Sequence, residues 1–140
     1  MSGERDLARL LAGLSPSLDP VRYRFVFAGR SPDEALRAQA LMSLHEAEGW
    51  TLVLPAELVG EGASQAGPPQ VGPAMARLTL QVHSSLEAVG LTAAVAGALA
   101  EEGISANVVA GYFHDHLFVA DADGERALAV LQALSRRARG

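Results

Sequence analysis

The spacing of apolar residues in the second half of this chain switches between the period of a strand and the period of a helix. This succession constrains the fold most strongly. From Leu78 to Val82 apolar and polar residues alternate, as in a half-buried strand. From Leu91 to Glu102 apolar residues fall at helical spacing, and Gly103 follows as the expected helix end. Alternation resumes at residues 104–110, a further strand follows, and a helical stripe occupies residues 123–137. The order strand, helix, strand, strand, helix is most of a ferredoxin-like unit.

The first half of the chain predicts a similar but less regular order of elements. Leucines at helical spacing predict a helix from Asp6 to Leu14, with the aspartate as its N-cap. Aromatic residues alternate from Tyr23 to Phe27, which predicts a strand. Ser31, followed by proline and two acids, predicts the start of a short helix. Residues 41–48 fit either a helix or the first strand of a hairpin around Gly49.

A segment rich in glycine and proline separates the two halves. Residues 60–73 contain four glycines and three prolines, a composition typical of a flexible connection. We therefore expect an N-terminal unit at residues 1–60, a linker at 61–74 and a C-terminal unit at 75–140. The C-terminal unit has no obvious fourth strand after its last helix, so we expect its remaining edge strand to come from the first unit or from a partner chain.

The sequence resembles the ACT family of small regulatory domains. A loop ending in Gly90 leads into the helix, and the segment Gly103 to Asn107 leads from the helix into the next strand, as is typical of this family. The run Thr79 to Val119 is similar to bacterial members of the CASTOR-related subgroup, and residues 7–27 and 48–55 resemble them more loosely. The resemblance favours strands on both sides of the hairpin glycine. It implies an α+β fold of two tandem ACT-like βαββαβ units of ferredoxin type, with antiparallel sheets.

The loop between residues 83 and 90 joins a predicted strand end to a predicted helix start. Free backbone N–H groups and the helix dipole at such a position favour a carboxylate. The alternative interpretation is that Ser84 and Glu87 form only a capping box. The resemblance implies that this loop and the neighbouring strand hold an amino-acid effector. The implied ligand-binding residues are Ser84, Ser85, Leu86, Glu87, Val89, Gly90, Leu91 and Asn107.

Asn107 is predicted to lie on the polar side of its strand, on one face with Thr79 and Gln81. Its amide can both donate and accept hydrogen bonds, so it could hold either end of an amino acid. The alternative is that this is ordinary solvent-facing polarity. The resemblance favours the binding role, because the second strand of ACT-like domains contributes to the ligand site.

The sequence His114-Asp115-His116 suggests two alternatives. Two histidines at i and i+2 share a strand face and could bind zinc, but no third ligand stands at a characteristic spacing. A hairpin turn fits the segment from Gly111 at least as well, with Asp115 as a turn former. We favour the hairpin and expect neither a metal nor another cofactor. A small metal-dependent hydrolase that uses the histidine pair stays an alternative function.

Composition narrows the remaining classes of function. The chain has 140 residues, a net charge of -5, no cysteine and no lysine, which argues against nucleic acid as a partner and excludes disulfides and Schiff-base chemistry. No apolar run is long enough to span a membrane and no export signal is visible, so we expect a cytoplasmic protein. We expect a non-enzymatic regulatory protein that binds a small molecule. A protein-interaction module without a ligand is the alternative.

The predicted polar face of the C-terminal sheet also suggests an oligomer. This face would carry small and polar residues and would be left uncovered by the helices: Thr79, Gln81, Asn107, Val109 and Gly111. A bare sheet face with free edges is usually covered by another copy. We therefore expect a homodimer.

Overall fold

The computed structural model describes residues 3–60, 67, 69–82 and 90–140. Its helices and strands follow in the order α1 (Gly3–Ala12), β1 (Ser17–Gly29), α2 (Glu34–Ala38), β2 (Met42–Glu46), β3 (Gly49–Pro55), β4 (Gln70–Leu80), α3 (Leu91–Glu101), β5 (Ala106–Ala110), β6 (Asp115–Ala120) and α4 (Gly124–Arg139). The strands are hydrogen-bonded in the order β2-β3-β1-β4-β6-β5. The predicted α+β class with an antiparallel sheet is confirmed.

The chain forms two compact units, of which the smaller is one continuous segment and the larger is made of two. The larger unit consists of residues 1–20 and 76–140, and the smaller unit of residues 21–75. Strands β1 and β4 each contribute residues to both units. The division into 1–60, 61–74 and 75–140 stays a prediction.

The smaller unit contains most of β1, the strands β2 and β3, the first part of β4 and the short helix α2. Strand β3 pairs antiparallel with both β1 and β2, and His45 lies directly opposite Trp50 across the second pair. This confirms the strands on both sides of the hairpin glycine. Val26, Leu52 and Leu54 are fully buried and form the core of this unit.

The larger unit packs three helices on one face of its strands. Helix α1 contacts α4, and Ser135 of α4 donates a hydrogen bond of 2.9 Å to the carbonyl oxygen of Ala12, at the end of α1. The apolar stripes of the helices and the alternate residues of the strands meet in one buried cluster. Its members are Leu14, Ala76, Leu78, Leu80, Leu91, Val95, Leu99, Ile104, Leu117, Val119, Ala127 and Leu131.

The missing fourth strand of the C-terminal unit is supplied by the start of β1. Residues 17–20 belong to the larger unit, and β1 lies beside β4 in the sheet. An ion pair joins the two strands here, since Arg77 Nη2 lies 2.6 Å from Asp19 Oδ2. The expectation that the first unit could provide this strand is therefore confirmed. The larger unit obtains its fourth strand from β1, so it needs no further strand after α4.

Several predicted boundaries are wrong. Helix α1 begins at Gly3 rather than Asp6, and α2 is capped by Asp33, whose carboxylate accepts a 3.0 Å hydrogen bond from the Ala35 N–H, rather than by Ser31. Residues 70–74, assigned to the flexible connection, are part of β4. The glycine that suggested flexibility there has another role. A Cβ at Gly72 would lie 2.9 Å from the carbonyl oxygen of Phe25, so the residue permits close approach of two strands.

Candidate functional site

The predicted site lies at the start of α3, and only part of it falls within the described residues. Ser84, Ser85, Leu86, Glu87 and Val89 lie outside them, so their binding role stays a prediction. Gly90 is the N-cap of α3, with φ of +103°, and its carbonyl oxygen accepts the first helical hydrogen bond, from the Ala94 N–H at 2.8 Å. A glycine cap has no side chain to occupy the positive end of the helix, so this end can accept an anion from outside.

The glycine at this position is explained by its backbone angle rather than by crowding. A Cβ on Gly90 would lie 3.5 Å from Leu7 Cδ2, which is ordinary van der Waals contact. Residues other than glycine adopt such a positive φ only with backbone strain. The next residue, Leu91, is fully buried in the core of the larger unit. Its side chain therefore packs in the core and is not available to contact a ligand.

Asn107 is exposed on β5, at the end of the sheet, and lies directly opposite Phe118 of β6. Residues opposite each other in an antiparallel pair point to the same face, so both lie on the side away from the helices. Phe118 is only 2% exposed. The prediction that this face is bare is therefore wrong at its centre, although Asn107 at its rim remains open to solvent.

Hydrogen-bonded polar side chains occupy the same face, and the sequence had singled out two of them, Thr79 and His116, but not Arg77 and Asp19. Arg77 donates from Nε and Nη2 to Asp19 Oδ2 at 3.1 and 2.6 Å. The next polar residue of β4, Thr79, shares a hydrogen bond of 3.2 Å between its Oγ1 and His116 Nδ1. Arg77 and Thr79 alternate with apolar residues of β4, and this alternation indicates that both lie on the polar face of the strand. Asp19 is 58 residues away and could not be joined to Arg77 without the strand order.

The histidine pair lies at a hairpin, as predicted, but the turn is formed by residues 111–114, and Asp115 begins β6 rather than forming the turn. Strands β5 and β6 pair antiparallel, and the Gly111 N–H donates to the His114 carbonyl oxygen at 2.8 Å. His114 Nδ1 donates to the Gln81 carbonyl oxygen at 3.2 Å. Around the turn, a Cβ at Gly111 would lie 3.2 Å from His116 Nε2. Within the described ranges no three histidine, cysteine or acidic side chains come together to hold a metal ion.

The stability of the protein is expected to depend on the ionisation of His116. Partial burial, and then the positive charge of Arg77, lower the pKa of His116 below its ordinary value of 6.5, with His114 acting in the same direction and Asp115 against it. The unfolded state therefore binds a proton at higher pH than the folded state. The contribution of neutral His116 to the free energy of unfolding is therefore fully present above pH 6.5, and it is lost as the pH falls through the lower pKa of the folded state.

Urea unfolding between pH 5 and pH 8 checks this, with His116→Gln as the matched variant. We expect the wild type to lose more stability than the variant on acidification below about pH 6.5. Equal losses in both proteins would show that His116 titrates normally in the folded state.

Comparison with known proteins agrees with the resemblance seen in the sequence. Residues 2–68 match one ACT domain family and residues 77–133 match another. No protein with a curated description matches the chain. No helix in the part of the chain that the structure describes combines the length and apolar character needed to cross a bilayer.

Solved structures with the same fold extend over most of the chain. A protein of unknown function from Vibrio cholerae, described as a possible transport protein, is 42% identical, with 96% of this chain and 99% of that chain covered and a TM-score of 0.79. An Agrobacterium tumefaciens protein is 16% identical, with 86% and 87% covered and a TM-score of 0.67. The regulatory subunit of aspartate kinase from Thermus flavus is 11% identical, with 87% and 98% covered and a TM-score of 0.60. The last two show the fold alone. The two domain matches together take in most of the sequence, and the chain belongs to the ACT domain family, with two ACT domains in tandem.

Proposed function

We propose that this protein is a non-enzymatic regulator that binds an amino acid at the start of α3 in its C-terminal ACT domain. The observation that carries the proposal is Gly90, an N-cap with a positive φ and no side chain, at the positive end of an eleven-residue helix. The tandem ACT domains support a small-molecule-binding regulatory role. The more specific proposal, that the small molecule is an amino acid, rests on the fit of a carboxylate to this helix end.

In this proposal the ligand carboxylate binds to backbone N–H groups of the loop at residues 84–90 and of the helix start. A second polar group of the ligand reaches Asn107, whose amide is exposed on the edge strand. Binding would favour one arrangement of a homodimer over another, which is how a ligand shifts a population. The cytoplasm as the site of action and membership of the CASTOR-related subgroup belong to the same proposal, and no cofactor is involved.

Two substitutions test the site once a binding amino acid is in hand. Asn107→Ala and Ser84→Ala should each weaken binding by about 1–3 kcal/mol, because each leaves a polar group of the bound ligand without its partner. Calorimetric titration measures the change. Ser43→Ala, on an exposed position of β2 in the smaller unit, is the matched control and should leave the affinity unchanged. If all three variants bind as the wild type does, the ligand binds elsewhere on the protein.

A ligand-free interaction module is the second candidate, and one observation favours it. Tyr112 and Phe113 at the β5–β6 turn are 86% and 71% exposed, and their rings contact each other edge to face with centroids 4.9 Å apart. Exposed aromatic pairs are typical of contact surfaces between proteins. The two candidates differ in the effect of Tyr112→Ser with Phe113→Ser. This change would abolish recruitment of a partner protein but leave amino-acid binding intact.

A further inference from the structure

Helix α3 is apolar apart from Thr92 and Glu101, but only one side of it reaches the core. Its eleven residues contain a single charge, at its last residue, Glu101. Leu91, Val95 and Leu99 recur every four residues and are buried. A helix that is apolar all round is expected to be covered all round. The outward positions of α3 are instead exposed small residues, namely Ala93, Gly97 and Ala100.

A groove of ≈ 490 Å³ runs between α3 and α4. Its apolar lining consists of Ala98, Ala129, Val130 and Ala133. Its charged lining has both signs, since Glu101 and Glu102 lie at the C-terminal end of α3 and Arg137 lies in α4. Among the described ion pairs none joins Arg137 to either acid, so the two signs line one groove without neutralising each other directly.

We propose that a second copy of this chain docks on the groove between α3 and α4, with Arg137 of each copy facing the α3 acids of the other. A contact about a two-fold axis must be self-complementary, and a groove that carries both signs around an alanine floor satisfies this requirement. The acids also lie at the C-terminal end of α3, where the helix dipole disfavours them within one chain. The arginine of a second copy offsets that unfavourable placement.

Gly97 does not line the groove itself, but it lies one helical turn before Glu101 on the same side of α3, where the lack of a side chain would permit close approach. A Cβ added there would meet no atom within 4 Å, so the space outside this residue is open within the chain. Small residues at a helix crossing let two helices approach to the short end of the usual range of about 8–10 Å. The same helix begins at Gly90, so a ligand bound there would contact an element of the interface. The inference rests on the proposed homodimer and names its surface.

The test compares the concentration dependence of dimer formation in four variants of the full chain by sedimentation equilibrium. Gly97→Gln fills the open space with a good helix former and should raise the dimer dissociation constant at least about tenfold without unfolding α3. Arg137→Glu places like charges together in both symmetry-related contacts and should raise it at least about tenfold as well. The double variant Glu101→Arg with Arg137→Glu should restore association. Arg136→Glu makes the same charge change in the same helix turn, but Arg136 does not line the groove, so this control should dimerise normally.

The possible outcomes test the existence of the homodimer and the use of the α3–α4 surface separately. A wild type that stays monomeric at high concentration overturns both the homodimer and this interface. A wild-type dimer that tolerates Gly97→Gln and Arg137→Glu keeps the homodimer and overturns the α3–α4 surface. Equal loss in Arg136→Glu and Arg137→Glu, with no rescue by the double variant, would show a general effect of charge and would also overturn the proposal. Circular dichroism of each variant confirms that it is folded.

Discussion

Replacing Gly49 by alanine is expected to destabilise the protein by about 2–6 kcal/mol. Gly49 is buried and has a φ of +147°. A Cβ there would lie 2.7 Å from both the carbonyl carbon and the carbonyl oxygen of Gly29, which are backbone atoms of β1 and cannot rotate away. Backbone strain of about 1–3 kcal/mol and overpacking of about 1–3 kcal/mol would add together here. This is a large part of the total stability of a domain, which is about 5–15 kcal/mol.

The matched control is Gly60→Ala, the same chemical change at an exposed position of the same unit. A Cβ at Gly60 would meet no atom within 4 Å, and its φ is not positive, so we expect the control to change the stability by less than about 0.5 kcal/mol. Urea unfolding of both variants and the wild type gives the two free energies. A Gly49→Ala protein as stable as the wild type would show that β1 and β3 can move apart at this point without cost.

Leu91→Ala is expected to cost about 2–5 kcal/mol of stability, as other buried leucines do when truncated. The side chain is 0% exposed and packs in the main core cluster, so its loss leaves a cavity under the start of α3. The sequence placed Leu91 among the ligand-binding residues. If the side chain only contacted a ligand, its truncation would leave the stability of the ligand-free protein nearly unchanged. Because the structure places it in the core, we expect a large loss of stability without ligand.

Leu44→Ala is the control for this variant. Leu44 lies on β2 and is 55% exposed, so the same truncation should cost less than about 1 kcal/mol. Thermal or urea unfolding without ligand gives the comparison. Equal costs at the two positions would mean that Leu91 is not part of a tightly packed core.

Local patterns in the sequence predicted most of the fold. The stripe formed by Leu91, Val95 and Leu99 predicted both the helix and its buried face, because helical spacing places residues four apart on one side. Gly103 was predicted to end α3, and it follows the helix with a φ of +74°. The hairpin after Gly111 was also favoured by the residues themselves. The residues left the segment before Gly49 open between helix and strand, and the resemblance to the ACT family favoured the hairpin there.

The features that the sequence did not predict all depend on contacts between distant segments. The strand order that places β1 beside β4 supplies the fourth strand of the larger unit and creates the ion pair between Asp19 and Arg77. Close approach of Gly29 to Gly49 likewise follows from the strand pairing. Of the candidate site, the sequence located the helix start and the exposed Asn107. It did not show that the sheet face beside Asn107 is centred on a buried Phe118.

The central claim is that this ACT domain protein binds an amino acid, and thermal unfolding of the purified full chain with each amino acid in turn tests it most directly. A ligand that binds only the folded state stabilises it by about 2.7 kcal/mol at a hundred times its dissociation constant, which raises the melting temperature by several degrees. We expect one amino acid, or a few of similar chemistry, to raise the melting temperature in a concentration-dependent way while the rest have no effect. A melting temperature that no amino acid shifts at millimolar concentration would contradict the account.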